Sequence, residues 1–396
     1  MLMYNRRNFI KQSALLGAAT LLPAGLSAER SRSATSAKKA VPPAKKVDTY
    51  TVNMSHIRAV PVPPRQITIP DVEGFKVLKG DFHIHTIYSD GNVVPDERVP
   101  EAVQNGLDVI SITDHFECSP NIYQPDRWNI ATHKDANYNI AYEAAKSTAD
   151  EKNLLLVRGG EITKDMPPGH FNALFTKDNN AIGAVITDWR KMLQVAADQG
   201  AFLLWNHPGW EAQIGNGAAL RFTDVHEEIY KRGWMHGIEI FNWEEYYPIV
   251  SDWCNERDLA LFANSDIHPT ELEAYGIQST LRPITLVLAK ERSLESVKEA
   301  LFAKRTIAWA DGLLWGRDPW LPALFRASVV IKTITPGVLE LTNISSLPVS
   351  VTIGGAVIEL PKDISRRVYR AEDVKQITVA NWMIGMNKPL EINIVN

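Results

Sequence analysis

Cysteine is scarce in this chain. It has two in 396 residues, Cys118 and Cys254, and they do not form a C-x-x-C pair. That argues against a thiolate zinc site and a disulfide-stapled scaffold. The sequence leaves a single disulfide between them open. Two buried free thiols are the better reading, because Cys254 sits in a helical stretch. Charge of one sign is also lacking: 42 Lys and Arg stand against 46 Asp and Glu, a formal net charge of -4. That balance gives no reason to expect nucleic acid as a partner. Histidine is modest in number, at 10, so where the histidines fall matters more than how many there are. What remains is an ordinary globular composition, 45% hydrophobic and 22% charged, enough for one large core and a smaller domain.

The first 28 residues read as a targeting segment. Arg6-Arg7 and Lys11 precede an apolar run from Ala14 to Leu22, followed by Pro23 and small residues up to Ala28. This is the build of a signal peptide. The run is too short for a stable membrane anchor. Arg6-Arg7 followed by Phe9 and Lys11 resembles a bacterial twin-arginine signal, so the expected partner is the twin-arginine export machinery and the expected location is periplasmic or secreted. Residues 29 to about 50 are rich in Ser, Ala, Lys and Pro, and Pro61, Pro63 and Pro64 follow, so 29–74 reads as a flexible linker and irregular entry.

From Phe75 onward short apolar runs recur, and several end in a polar residue able to bind metal. The runs lie at Val77–His85, Asp108–Thr113, Leu154–Val157, His170–Phe175, Phe202–Trp205, Gly237–Phe241 and Leu259–Ala263. Helix-like stretches separate most of them, at Val99–Gly106, Asn137–Lys152, Trp189–Gln199, His226–Lys231 and Val250–Arg257. Alternation of this kind predicts parallel β/α units. We expect an α/β fold, a (β/α) barrel of about seven strands over 75–325, with one rim crowded by His and Asp. From about Ala327 the pattern turns strand-like, with Gly354-Gly355 as a hairpin signal, which predicts a small antiparallel β domain over 326–396.

His83-x-His85 ends the first strand, and period-two alternation points both imidazoles to one side. Asp90 follows in a loop that could fold back over that strand end. His115 ends the next strand, Glu161 carries two oxygens suited to bridging, and His170, His207, Asp266 and His268 end or begin later strands. Imidazole with carboxylate suits Zn²⁺, Mn²⁺ or Fe. His56, His133, His226 and His236 fit no such position and read as surface or structural. Arg127, Lys164, Arg282 and Arg317 are candidates to neutralise an anion. Trp205, Trp210, Trp243 and Tyr247 are candidates for an apolar wall, and Glu239 and Asn242 for support behind the ligands.

Residues 75–310 resemble the PHP (polymerase and histidinol phosphatase) family of metal-dependent phosphoesterases. The resemblance rests on Asp81-Phe82-His83-Ile84-His85-Thr86 through Ser89-Asp90-Gly91, Ile112-Thr113-Asp114-His115, Gly160-Glu161-Ile162-Thr163, Gly169-His170-Phe171-Asn172, Asn206-His207-Pro208 and Ser265-Asp266-Ile267-His268. The segments Met166–Phe175 and Trp205–Trp210 are most similar to the exported bacterial phosphodiesterase branch. The resemblance implies a distorted seven-stranded barrel and a phosphodiesterase acting on a small phosphate ester, with two or three divalent ions. It also implies a partition of ligands: His83, His85, Glu161 and Asp266 on one ion; Glu161, His170 and His207 on a second; Asp90, His115 and His268 on a third. Such ions imply attack of a metal-bound hydroxide on phosphorus. Glu161 then joins the catalytic set as the bridge and Asp114 as a group that orients a ligand or relays a proton. An amide or carbamate hydrolase and a non-catalytic metal-binding protein are the competing readings.

Overall fold

The computed structural model describes residues 63–120, 128–130, 133–215, 218–276, 281–369 and 375–394. The expected signal segment 1–28, the lead-in before residue 63, His56 and Arg127 lie outside the described residues. Among the described residues no helix is long and apolar enough to cross a membrane.

All seven expected strands form. They are β1 (Lys76–Ile84), β2 (Val109–Ile112), β3 (Leu155–Ile162), β4 (Phe171–Leu174), β5 (Phe202–Trp205), β6 (Gly237–Asn242) and, after the two-residue β7 (Glu245–Tyr246), β8 (Ala260–Asn264). The five expected helices are present within a few residues of their predicted ends, as Pro95–Gln104, Ile140–Glu151, Trp189–Asp198, Asp224–Lys231 and Ile249–Arg257. β1–β2, β2–β3, β5–β6 and β6–β8 pair in parallel. β4 runs antiparallel to both β3 and β5. Only residues 163–170 join β3 to β4, and a parallel crossover needs about a dozen residues or more.

The strand count differs from expectation. Among the described residues the sheet has 15 strands: β9 (Ile284–Ala289), β10 (Thr306–Ala310) and β11 (Leu313–Gly316) extend the same ladder beyond β1, and β7 and four C-terminal strands complete it. β9 pairs with Lys76–Gly80, which fills the edge of β1 that β8 would need for a continuous seven-stranded closure. The chain after β8 reaches only the last residues of β1. There Asp266 N–H donates to His83 O (2.8 Å), His85 N–H donates to Ile267 O (3.1 Å), and Ile84 bridges Ile267. The sheet is curled so that distant strands share one interior. Phe82 of β1 stacks edge-on against Phe262 of β8 at 5.7 Å, and Phe262 meets Phe202 of β5 at 5.5 Å. Val109, Val157, Leu174 and Val287 complete that cluster, each from a different strand.

The C-terminal strands divide between two sheets. β12 (Val329–Thr335), β13 (Val338–Asn343) and β16 (Ser365–Tyr369) form a separate three-stranded antiparallel sheet. β14 (Ser350–Ile353), β15 (Ala356–Glu359), β17 (Gln376–Gly385) and β18 (Lys388–Asn393) are antiparallel among themselves. They join the large sheet through Leu314–Trp382 and Trp315–Met383 of β11 and β17. Gly354 and Gly355, both at positive φ (55° and 84°), make the β14–β15 turn, as a two-residue hairpin requires.

Trp382 pins this junction. It is fully buried, lies edge-on to Phe325 at 5.7 Å, and donates its indole N–H to Pro348 O (2.8 Å). Replacing it with alanine is expected to cost about 3–5 kcal/mol, read as a lowered midpoint in urea unfolding. An unchanged midpoint would show that the β11–β17 joint carries no such load.

Candidate metal centre

Nine predicted side chains converge at one end of the curled sheet. β1 ends in His83 and His85, both fully buried, and their Nε2 atoms approach to 3.1 Å. The following loop folds back as expected. Ser89 N–H and Gly91 N–H both donate to Thr86 O at 3.0 Å. A Cβ on Gly91 would lie 2.8 Å from the backbone of His85 and Thr86, so only glycine permits the return that delivers Asp90. His115, after β2, bridges Glu161 near the end of β3. His170 precedes β4 and His207 follows β5. Asp266 and His268 follow β8.

Glu161 lies at the middle, and its two oxygens face different imidazoles. Oε1 is 3.4 Å from His83 Nε2, 3.0 Å from His170 Nδ1 and 3.5 Å from His207 Nε2. Oε2 is 3.4 Å from His85 Nε2 and 2.7 Å from His115 Nδ1. Asp266 Oδ1 lies 3.3 Å from His83 Nε2 and 3.1 Å from His85 Nε2. Asp90 Oδ1 lies 3.4 Å from His115 Nε2 and 3.1 Å from His268 Nε2. Four overlapping groups of donors could each hold a cation: His85, Asp90, His115 and His268; His83, His85 and Glu161; His83, His207 and Asp266; and His115, Glu161 and His170. Together they contain every predicted ligand. Because the groups overlap, they fix no single partition: His83, His85 and Glu161 stand together as the resemblance implies, while His85 also falls with the Asp90 group and His207 with His83 and Asp266.

The donor chemistry fits divalent ions. Among the described residues, neither ring nitrogen of His207, nor Glu161 Oε2 nor Asp90 Oδ1, makes a hydrogen bond of good geometry, although imidazole nitrogens stand close to both carboxylates. Buried polar atoms left unpaired are costly, and lone pairs aimed at a common space are what a cation takes up. Cys118 and Cys254 are buried, are not joined by a disulfide and stand outside these groups.

Burial and mutual charge set the protonation of the centre. Burial pushes His85 down to about 3, and the neighbouring His268 and His115 add to the shift. Burial pushes His170 to about 4. Burial also opposes charge on His83, but Asp266, Glu239 and Glu161 hold its pKa well above the usual imidazole value. Glu161 and Asp90 do the same for His115. Glu161 and Asp90 resist the upward push of burial and lie well below the carboxylate range, because His115, His170 and His83 surround the first and His268 and His115 the second.

A supporting layer orients the ligands. Glu239 accepts from Asn264 Nδ2 (2.9 Å) and faces His83 Nδ1 (2.9 Å) at Oε1. At Oε2 it accepts from Asn242 Nδ2 (2.9 Å) and His207 N–H (2.7 Å). Both Glu239 and Asn242 thus take the supporting place the sequence suggested. Asp114 does not face the ligand ring nitrogens. Its oxygens accept from Thr86 N–H (2.7 Å), Thr86 Oγ1 (2.6 Å) and Ser89 Oγ (2.5 Å), and Ser89 Oγ meets His85 Nδ1 at 3.1 Å.

The substrate candidates divide. Trp210 lies against the centre, its ring 5.7 Å from His170 and 5.4 Å from His207. Trp205 does not, because it is fully buried and stacks on His226 at 3.9 Å, on the helix side of β5. Trp243 packs against Tyr275 at 5.8 Å, and Tyr247 is buried against Glu245. Lys164 is held by Glu117 (2.6 Å) and Ile186 O (2.8 Å). Arg282 is buried against Asp81 and Glu271, and Arg317 pairs with Asp258. His226 and His236 are structural: His226 bonds Pro168 O (3.0 Å), and His236 Nδ1 accepts from Leu203 N–H (2.9 Å). Sequence reasoning missed Trp128, 44% exposed with its ring 5.3 Å from His115, and the buried Arg98. No motif marked either one.

No family model and no curated protein matches the chain. Among solved structures it is similar to one from Bacteroides vulgatus, described as "a two-domain protein containing predicted PHP-like metal-dependent phosphoesterase". The two share 32% identity at a TM-score of 0.75, over 84% of this chain and 98% of that one. A "putative metal-dependent phosphoesterase" from Bifidobacterium adolescentis matches at 15% identity and a TM-score of 0.40, over 56% of this chain and 95% of that one. An amidohydrolase from Chromobacterium violaceum matches at 13% and 0.35, over 50% and 90%.

Glu239→Gln tests the supporting layer. Loss of the carboxylate behind His83 is expected to weaken metal binding about 10–100-fold, measured by equilibrium dialysis of the metal-free protein. Affinity equal to the unaltered chain would mean that His83 is oriented without Glu239.

Proposed function

The chain belongs to the PHP-like metal-dependent phosphoesterases, and from that membership we propose that it is a phosphodiesterase acting on a small ester at a centre of two or three zinc, manganese or iron ions. The observation that carries the reading is Glu161, fully buried, with its two oxygens turned toward different imidazoles. That is the disposition of a carboxylate shared between neighbouring ions. Bound divalent ions would supply water activation and neutralisation of phosphoryl oxygens.

The chain's own residues supply the rest. Six imidazoles and three carboxylates fix where a phosphoryl group can approach. Glu239 and the Asp114–Ser89 pair hold His83 and His85 with their Nε2 atoms toward the centre. On this proposal Asp114 acts through Ser89 as an orienting group rather than as a proton relay. Trp210 and Trp128 offer flat apolar surface beside the histidines for an ester substituent.

The engagement of the candidate cations supports the diester reading. A diester phosphate carries one negative charge and a monoester up to two. Lys164, Arg282 and Arg317 are each already engaged by a carboxylate. These three described candidates therefore leave little positive charge for a second phosphate charge. The proposal also takes the curled sheet as a distorted barrel, and keeps 75–325 as catalytic and 326–396 as an appended β domain. It retains export by the twin-arginine route to the periplasm or beyond, on the strength of Arg6-Arg7 and the apolar run after them.

Metal-reconstituted protein assayed on phosphate monoesters, diesters and carbamate esters is expected to turn over diesters fastest. Activity confined to carbamates would sink the phosphate reading. His85→Ala and Asp266→Ala should each abolish nearly all turnover together with metal content; full activity in either would refute the site. Trp210→Ala is expected to raise KM for an aryl diester about tenfold with kcat little changed, the pattern of lost uniform binding. An unaltered KM would remove Trp210 from the substrate wall.

A further inference from the structure

Arg98 lies in the first turns of the helix Pro95–Gln104, and its side chain is fully buried. A buried guanidinium must find acceptors for five N–H groups. Here it finds five. Nε donates to His85 O (3.0 Å). Nη1 donates to Pro269 O (2.8 Å) and Glu101 Oε2 (2.8 Å). Nη2 donates to Ile267 O (3.2 Å) and His268 O (2.8 Å). Four of the five acceptors are backbone carbonyls outside its own helix, and two belong to candidate ligands themselves.

We propose that Arg98 is a positioning residue: it sets the backbone of His85 against that of His268, and so decides whether the group His85, Asp90, His115 and His268 can hold its ion. This rests on the metal reading above. The planar guanidinium offers its N–H groups in a fixed fork, so four carbonyls can satisfy it only in one mutual arrangement. The strand-level closure does not depend on it. Ile84 bridges Ile267, and Asn92 N–H separately reaches His268 O (2.9 Å). What Arg98 adds is the relative placement of the two loops on either side of that bridge.

Glu101 balances the charge and extends the tie. Its Oε1 accepts the N–H of Glu271 (3.0 Å), whose carboxylate pairs with Arg282. Arg282 in turn holds Asp81, which accepts from Ser265 N–H (3.1 Å) and Ser265 Oγ (2.5 Å) just before Asp266. A partly buried ionic chain therefore runs behind the ligands and touches none of their ring nitrogens. Lysine in place of Arg98 would keep the charge but present three donors from a single point.

The test is a Mn²⁺ titration of the metal-free full chain, with bound ions counted by elemental analysis after equilibrium dialysis. His268→Ala serves as the reference that identifies the ion of this group by losing it. Arg98→Lys is expected to weaken that same ion about 10–100-fold while the remaining binding stays within about threefold. Glu101→Gln should shift the same ion in the same direction by less. Unaltered binding by folded Arg98→Lys overturns the proposal. So does uniform weakening of every ion, or failure of Arg98→Lys to fold with Glu101→Gln binding like the parent. If His268→Ala loses no ion, the metal reading itself fails and takes this inference with it.

Discussion

A single buried carboxylate sets the terms for the rest of the centre. Glu161 is withdrawn from water, and a charge in that position costs several kcal/mol unless it is surrounded by opposite charge or donors. Five imidazoles lie within 3.5 Å of its oxygens, and Asn206 Nδ2 donates to Oε1 at 2.8 Å. The carboxylates act on the imidazoles in return: Asp266, Glu239 and Glu161 keep His83 basic despite burial, and Glu161 and Asp90 do so for His115. His85 and His170, equally buried, remain neutral donors. A cluster balanced in this way is prepared to exchange protons for cations, since a ligand imidazole must be unprotonated.

That balance holds only if the backbone keeps the donors close. Two ligands sit at positive φ, His207 at 23° and Asp266 at 50°, a region that non-glycine residues enter at some cost. Each is pinned by a backbone bond: His207 N–H to Glu239 and Asp266 N–H to His83 O. Glu239 thus secures the ring of one ligand and the backbone of another. The incomplete closure of the sheet serves the same end. Because β9 takes the rest of that edge of β1, the chain after β8 meets β1 only where the ligands are.

The convergence of the candidate ligands was legible in the sequence because all but Asp90 stand beside a short apolar run, and strand ends meet at one rim whatever the details of pairing. Their supports were less so. Arg98 reaches carbonyls about 170 residues away, and nothing in its local sequence marks that reach. The extent of the sheet was hidden for a similar reason, since the partners of β1 and β11 are long-range choices. Trp205 was misplaced because its position at a strand end was read without its face. Phe202 and Leu204 turn toward the shared interior, while Trp205 turns to the helix carrying His226. Beyond Asn206 the positive φ at His207 breaks the alternation, so the ligand and the tryptophan two residues before it part company.

The same engagement that hides the supports also limits what the site can recognise. Lys164, Arg282 and Arg317 are each neutralised by a carboxylate. On the proposed reading, little attraction for an anionic substrate comes from these side chains, and it must come from the centre itself. A phosphoryl group would then be held at its oxygens by the centre and sorted by what its substituents meet at the mouth. Among the described residues, Trp128 and Trp210 place their rings beside these histidines. Flat, apolar surface of that kind favours area over hydrogen-bond geometry, so it grades substituents by size and hydrophobicity and does not select one. On the proposed reading, charge would define the reacting group and the two tryptophans would sort its substituents.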